Sequence, residues 1–337
     1  MLLARRPGLL CLLCQSRAFS TSYRLLAEQG PTTTTKAAKP VASDNNPAKT
    51  ETPASPASPA PAKFIPPSPL QDAPRSYGKR IEEFTPKPLS RPIGMPQPPK
   101  PGENTGIDNR TLKQRRDDFV NYDKHLKRRE ELMSKMSRPY FRDWGNLRFH
   151  KGKTFVAPPR PFKGDLSLFF PNLFGRTLLK SDSKPRDTTP ALQDKISVVS
   201  VFSSVWAENQ INSFVSKEAN PELETVLQQN EDAVQRVWIN YEDNSMKAWL
   251  IKLFMGGIRR RIGEPNWDRY FVVQRGLNDE IRENTGLLNR SVGYVYLLDG
   301  ECRIRWAGSG PSEDHEREGL VKGVQRLLDE AKSSKKS

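Results

Sequence analysis

The chain predicts an α/β domain in its second half, on three observations. Residues 196–202, ISVVSVF, form a near-continuous apolar run of strand length, as expected of a strand covered on both faces. A helical i, i+3, i+4 stripe of Ile211, Phe214 and Val215 follows directly. Near the C-terminus two apolar runs, 294–298 and 302–306, flank an Asp299-Gly300 turn signal and lead into a last amphipathic stretch.

The first half of the 337-residue chain has another character. Residues 1–27 contain no Asp or Glu but carry Arg5, Arg6, Arg17 and Arg24 among leucines, the composition of a mitochondrial transit peptide. The order Arg17-Ala-Phe19-Ser20 resembles a matrix-processing site, with cleavage expected after Phe19, so 1–19 is read as leader. Residues 20–108 are rich in Pro, Ala, Thr, Ser and Lys and hold too little apolar surface to offset the entropy of ordering them. They are expected to be a disordered arm. Residues 109–160 form a basic, partly helical extension, with Lys113, Arg115, Arg116, Lys124, Lys127, Arg128 and Arg129 among scattered apolar residues. Such a segment suits anionic lipid or RNA, but reads more simply as a solvated helix or one that lies on the rest of the protein.

The domain is expected over 161–333. Apolar anchors at Phe169, Phe170, Leu173, Phe174, Leu178 and Leu179 surround Gly175. Further strands are expected at 236–241 and 270–273, and a helical segment at 276–289. Cys302 falls on a predicted strand, and Ser312 is placed to cap the final helix, whose core stripe is Leu320, Val321, Val324, Leu327 and Leu328. Residues 190–330 hold 17 Lys/Arg against 22 Asp/Glu, whereas 101–160 hold 15 against 8. The formal charge of +15 is therefore carried outside 190–330, largely on the chain that precedes it, and this is not the pattern of a uniformly basic nucleic-acid-binding domain.

Strand, helix, strand, helix, then hairpin and helix resembles the thioredoxin-like fold, and the extra strand and helix before the hairpin resemble its peroxiredoxin-like branch. In that resemblance Trp206 stands at the tryptophan of the active-site turn, and Ala207 and Gln210 occupy the two cysteine positions. The cis-proline position falls at or beside Val292. The expected fold is thus thioredoxin-like without redox cysteines, with Trp206 packing the domain. Cys11 and Cys14 lie in the leader, which leaves Cys302 as the one thiol for an oxidoreductase or peroxidase alternative. His125, His150 and His315 are scattered, and no metal-ligand spacing is visible. No catalytic residue, cofactor or metal is expected.

The strongest candidate for a working surface is 246–261. Met246, Trp249, Leu250, Leu253 and Phe254 share one helical face, and Ile251, Met255 and Ile258 carry the apolar surface past half the circumference. One stripe suffices to pack a helix on a sheet. Trp249, Ile251, Phe254 and Met255, with Arg259, Arg260 and Arg261, are therefore candidates for partner or membrane contact. A well-buried crossover helix whose arginines complement its dipole is the competing possibility.

FGRTL at 174–178, VFSSVWAENQ at 201–210, WINY at 238–241, the 249–261 helix, GYVYLLDG at 293–300 and WAGSG at 306–310 together resemble one family. It is the mitochondrial assembly factor that chaperones subunit 6 (subunit a) of the ATP synthase membrane sector. The resemblance implies a non-enzymatic protein, peripheral on the matrix side of the inner membrane, that binds new subunit 6 and promotes its joining to the subunit 9 (subunit c) ring. Nucleic acid is not an expected partner on this resemblance, although RNA or ribosome binding through 109–137 stays open as an alternative.

Overall fold

A computed structural model describes residues 68–334, apart from 77–79, 109, 137–140 and 183. The expected leader, with Cys11, Cys14, Arg17, Phe19 and Ser20, lies outside the described residues.

Seven strands form one sheet: β1 (Phe174–Thr177), β2 (Arg186–Asp187), β3 (Ile196–Phe202), β4 (Val234–Tyr241), β5 (Tyr270–Arg275), β6 (Tyr294–Leu298) and β7 (Ile304–Ser309). Their order is β2-β1-β5-β4-β3-β6-β7. β3 pairs parallel with β4, and β4 with β5. β6 runs antiparallel to β3, and β7 to β6. The helices are α1 (Leu112–Val120), α2 (Tyr122–Met136), α3 (Arg142–Asn146), α4 (Thr189–Leu192), α5 (Val205–Val215), α6 (Pro221–Gln229), α7 (Ser245–Leu253), α8 (Met255–Ile262), α9 (Asp279–Thr285) and α10 (Asp314–Ser334). The unit β3-α5-α6-β4, then β6-β7-α10, is the thioredoxin-like arrangement. β5 and α9 are inserted before its hairpin, as in the peroxiredoxin-like branch.

All seven residues of β3 are buried, which accounts for the unbroken apolar run: each face of a central strand meets core. Side chains from α5, α6, α8 and α10 cover one face, with Ile211, Phe214, Leu223 and Leu320 against Val198, Val295, Leu297 and Trp306. The other face packs Val199, Val237, Phe271 and Tyr296 against α9 and a long N-terminal segment.

Over its described part that segment departs from the expectation of a disordered linker to 108 and a domain starting at 161; residues 20–67 lie outside the described residues. Leu70, Ala73, Leu89, Ile93 and Phe155 are buried in the core. Backbone pairing fastens the segment: Leu89 N donates to Val156 O at 3.1 Å, and Met95 and Phe169 exchange bonds of 2.7 and 2.9 Å. Lys153, itself buried, places Nζ 2.6 Å from Oε2 of buried Glu316 in α10, whose Oε1 accepts from Ala157 N at 2.8 Å. Apart from the α1–α2 hairpin, the described chain is therefore part of the domain from residue 68 onward.

Smaller departures have local causes. Cys302 does not lie on a strand; it sits in the β6–β7 turn with φ 62°, because β7 begins only at Ile304. Ser312 does not cap α10: its hydroxyl donates to Ser213 O at 2.8 Å, and the Glu316 carboxylate accepts from Glu313 N instead. The helix expected at 276–289 is confined to α9, ended by Gly286 in the left-handed region.

Candidate functional site

β3, β4 and β5 all finish at one end of the sheet, and the chain leaves each through a loop. After β3, Ser204 caps α5, its hydroxyl accepting from Ala207 N at 3.2 Å. In a thiol oxidoreductase the thiolate would sit here, stabilised by the helix N-terminus. Ala207 is fully buried instead, and a Cβ on Gly293 would lie 2.3 Å from Ala207 O. Gln210 Oε1 accepts from Gly293 N at 2.9 Å, and its Nε2 donates to Lys151 O at 2.8 Å. The two cysteine positions thus hold loops together. Val292 is buried, and no peptide bond among the described residues is cis.

The charged group at this helix terminus is Glu208, paired with Arg261 of α8 at 2.6 Å. Beside them Tyr270 Oη accepts from Asn240 Nδ2 at 3.1 Å, and burial pushes its phenol up to about 12. No nucleophile is poised there.

Cys302 is no substitute. In the antiparallel register Ser197 faces Leu298 and Val201 faces Tyr294, so the β6–β7 turn abuts the start of β3. Asp194 N donates to Gly300 O at 2.9 Å, at that same end. The length of β3, about 20 Å, separates this thiol from the α5 terminus. Burial, with Asp299 and Asp194 adding, pushes the thiol up to about 12. It is a thiol rather than a thiolate near neutral pH.

Trp206 corrects another expectation. It is 47% exposed rather than packing the domain, and Val205 beside it is exposed as well. Both face solvent at the end of the sheet where a thioredoxin-like protein meets its substrate.

After β4, Asn244 caps α7, Oδ1 accepting from Met246 N at 2.9 Å. The expected helix over 246–261 is broken in two at Phe254 (φ −91°, ψ 8°), ahead of Gly256-Gly257, whose low helix propensity favours a break. Ala248 is buried, and Ile251, Met255, Ile258 and Ile262 pack on the core. Met246, Trp249, Leu250, Leu253 and Phe254 are exposed, Trp249 by 61%.

The seven candidate residues therefore separate. Trp249 and Phe254 face solvent, whereas Ile251 and Met255 face inward. Arg259 Nε donates to Leu178 O at 2.6 Å, its guanidinium lies 5.7 Å from the Trp267 ring, and Trp267 Nε1 donates to Arg259 O at 3.1 Å. It ties α8 to the core. Arg261 is held by Glu208, and Arg260 is exposed, with Nε 3.4 Å from Gly256 O in its own helix. The exposed apolar face is Met246, Trp249, Leu250, Leu253 and Phe254. Its helical spacing was readable; the exposure of Val205 and Trp206 carried no periodic signal.

The family model described as ATP10 protein matches residues 75–327. A mitochondrial ATPase complex subunit ATP10 from Eremothecium gossypii is 32% identical over 245 residues, covering 71% of this chain and 85% of its own. The Saccharomyces cerevisiae protein of that name is 30% identical over 257 residues, covering 73% and 88%. Among solved structures, a putative thiol:disulfide interchange protein DsbE from Chlorobium tepidum is 9% identical, with TM-score 0.31, over 48% of this chain and 96% of its own. A DsbF homologue from Corynebacterium diphtheriae gives 14% and 0.32 over 50% and 90%. At such scores the fold rests on strand order and register alone. The relatives are named mitochondrial proteins, which places this chain in mitochondria. With the family model spanning the N-terminal segment as well as the sheet, the chain belongs to the ATP10 protein family.

Proposed function

We propose that this chain is a non-enzymatic assembly factor for the mitochondrial ATP synthase, peripheral on the matrix side of the inner membrane. The exposed face of α7 holds newly made subunit 6 (subunit a) and promotes its association with the subunit 9 (subunit c) ring. The observation that carries this is the split of α7: Ala248 and Ile251 satisfy the core, yet five large apolar side chains on its other face stay in water. Exposed apolar side chains grouped on one element mark an interaction surface. Trp and Met suit adaptable contact with an apolar client such as an unassembled membrane segment. Family membership supports the ATP synthase as the setting, and the filled thiol positions at α5 support a role without redox chemistry.

The test is photocrosslinking in organelles making labelled translation products, with the photoreactive group at position 249 or 253 and, as inward controls, at 248 or 251. Labelled subunit 6 should be captured from the outward positions alone. Equal capture from both sets, or full assembly of the membrane sector in a strain lacking the protein, would sink the proposal.

A further inference from the structure

The α1–α2 hairpin stands off the domain. α1 buries no residue, and the described side chains of α2 are exposed apart from half-buried Leu126. The two helices are held to each other. Thr111 and Gln114 form a capping box on α1, Asp118 accepts from Arg110 at 2.8 Å and pairs with Lys124, and the Phe119 ring meets His125 edge-on at 5.5 Å. Hydrogen bonds from Lys124 and then Arg110 hold the Asp118 carboxyl below its ordinary range. The hairpin is thus preorganised without a core of its own.

Among the described residues nothing covers its apolar side chains: Leu112 is 83% exposed, Phe119 72%, Val120 77% and Tyr122 72%. Leu112 and Phe119, two turns apart, share one face of α1, with Arg115 and Arg116 on either side. Between the helices lies a cleft of about 480 Å³ lined by Arg110, Lys124, Lys127 and Arg128 with Phe119, His125 and Leu132, and by Asp118, which Arg110 and Lys124 neutralise. Lys113, Lys127, Arg128 and Arg129 are exposed and make no ion pair among the described residues.

The root of the hairpin is fixed beside α7. A Cβ on Gly106 would lie 2.5 Å from Arg275 Cβ, and one on Gly276 would lie 1.6 Å from Asn104 O, so this crossing tolerates only glycine. A second cavity, of about 200 Å³, is lined by Thr105 and Ile107 from the root and by Lys252 and Met255 from α7 and α8.

We propose that the hairpin is a dock for an anionic phospholipid bilayer. Lys127 and Arg128 of the cleft, with Lys113 and Arg129 beside them, take the phosphodiester headgroups, while Leu112, Phe119, Val120 and Tyr122 enter the boundary between headgroups and acyl chains. Leu112 and Val120 offer no ring on which a base could stack, so the mixture of exposed aliphatic and basic side chains fits lipid better than single-stranded RNA. The dock deepens the peripheral-membrane reading above and rests on it, because it sets the exposed face of α7 at the surface from which a membrane client emerges.

Flotation of the full chain with vesicles tests this. Binding should be weak to phosphatidylcholine alone, strong when cardiolipin is mixed in, and reduced by added salt. Reversing Lys127, Arg128 and Arg129 to Glu should weaken partition about a hundredfold or more. Phe119→Ser with Leu112→Ser should weaken it on both vesicle types. All five positions are exposed, so an unchanged thermal midpoint is the folding control. Equal binding to neutral and cardiolipin vesicles, or unchanged binding by either variant, overturns the dock. Binding of a single-stranded RNA oligomer that the charge reversals abolish, with vesicle binding unaffected, overturns it in favour of nucleic acid. If position 249 fails to capture detergent-solubilised subunit 6 while vesicle binding persists, the client reading fails and the dock stands.

Discussion

Lys153 and Cys302 are both buried, and their neighbours give them opposite fates. Lys153 finds partners inside the protein: Glu316 lies 2.6 Å away and Pro311 O accepts a further bond at 2.9 Å. Lys153→Met would leave Glu316 as an uncompensated buried charge. We expect a loss of about 3–5 kcal/mol, read from urea unfolding. Cys302 has no such partner, and its thiol is pushed up to about 12. In a chain carrying Cys11→Ser and Cys14→Ser, Cys302 should resist alkylation near pH 8 until the protein is unfolded. Rapid labelling of the folded protein would contradict its burial. Glu242 gives a pH signature. Burial raises its carboxyl above the ordinary 4.5, with the Asn244 N–H and Lys247 opposing the shift. The folded state then holds a proton that the unfolded chain has already released. Its contribution is complete below pH 4.5 and is lost as pH rises through the raised folded value. Glu242→Gln should therefore be at least as stable as the parent near pH 7, and that advantage should vanish on acidification in paired thermal melts.

At the scale of elements, α7 shows how far periodicity reaches. The spacing of Met246, Trp249, Leu250, Leu253 and Phe254 marked an apolar face, and the excess of apolar positions marked a second one. Which face meets the sheet was not readable, because both were apolar; packing decided it, turning Ala248, Ile251 and Met255 inward. Trp249→Asp should leave the unfolding free energy within about 0.5 kcal/mol of the parent while abolishing the crosslink to the client. Ala248→Asp should prevent folding, since it places an unpaired charge against the core. A cooperative melt of Ala248→Asp at the parent temperature would reverse the assignment of faces. The hairpin strands were legible from their apolar runs and the Asp299-Gly300 turn, whereas β1 and β2 were not. Each is short and lies at or near the sheet edge, with too few residues to establish a period.

At the scale of the molecule, the N-terminal segment is where composition misleads. Leu70, Leu89 and Ile93 are separated by prolines and charges, so no helical or strand period connects them. An extended chain can nonetheless lay each into a preformed apolar face and take its backbone bonds from neighbours such as Val156 and Phe169. Leu89→Ala and Ile93→Ala should each cost about 2–5 kcal/mol. A chain truncated to begin at 161 should aggregate, because one face of its sheet is uncovered; a soluble, cooperatively melting truncation would show that the segment is dispensable.

The sequence by itself determined the α/β order, the loss of the thiol pair at Ala207 and Gln210, the family, and the presence of surplus apolar surface on 246–261. These follow from residue identity and spacing, which are local. The tertiary structure decided that Leu70, Leu89, Ile93 and Phe155 belong to the core, that Trp206 is exposed, that Cys302 sits at the far end of β3, and which side of α7 faces out. Each of these depends on what lies opposite a side chain across the fold, often a hundred or more positions away along the chain, and no local period encodes that.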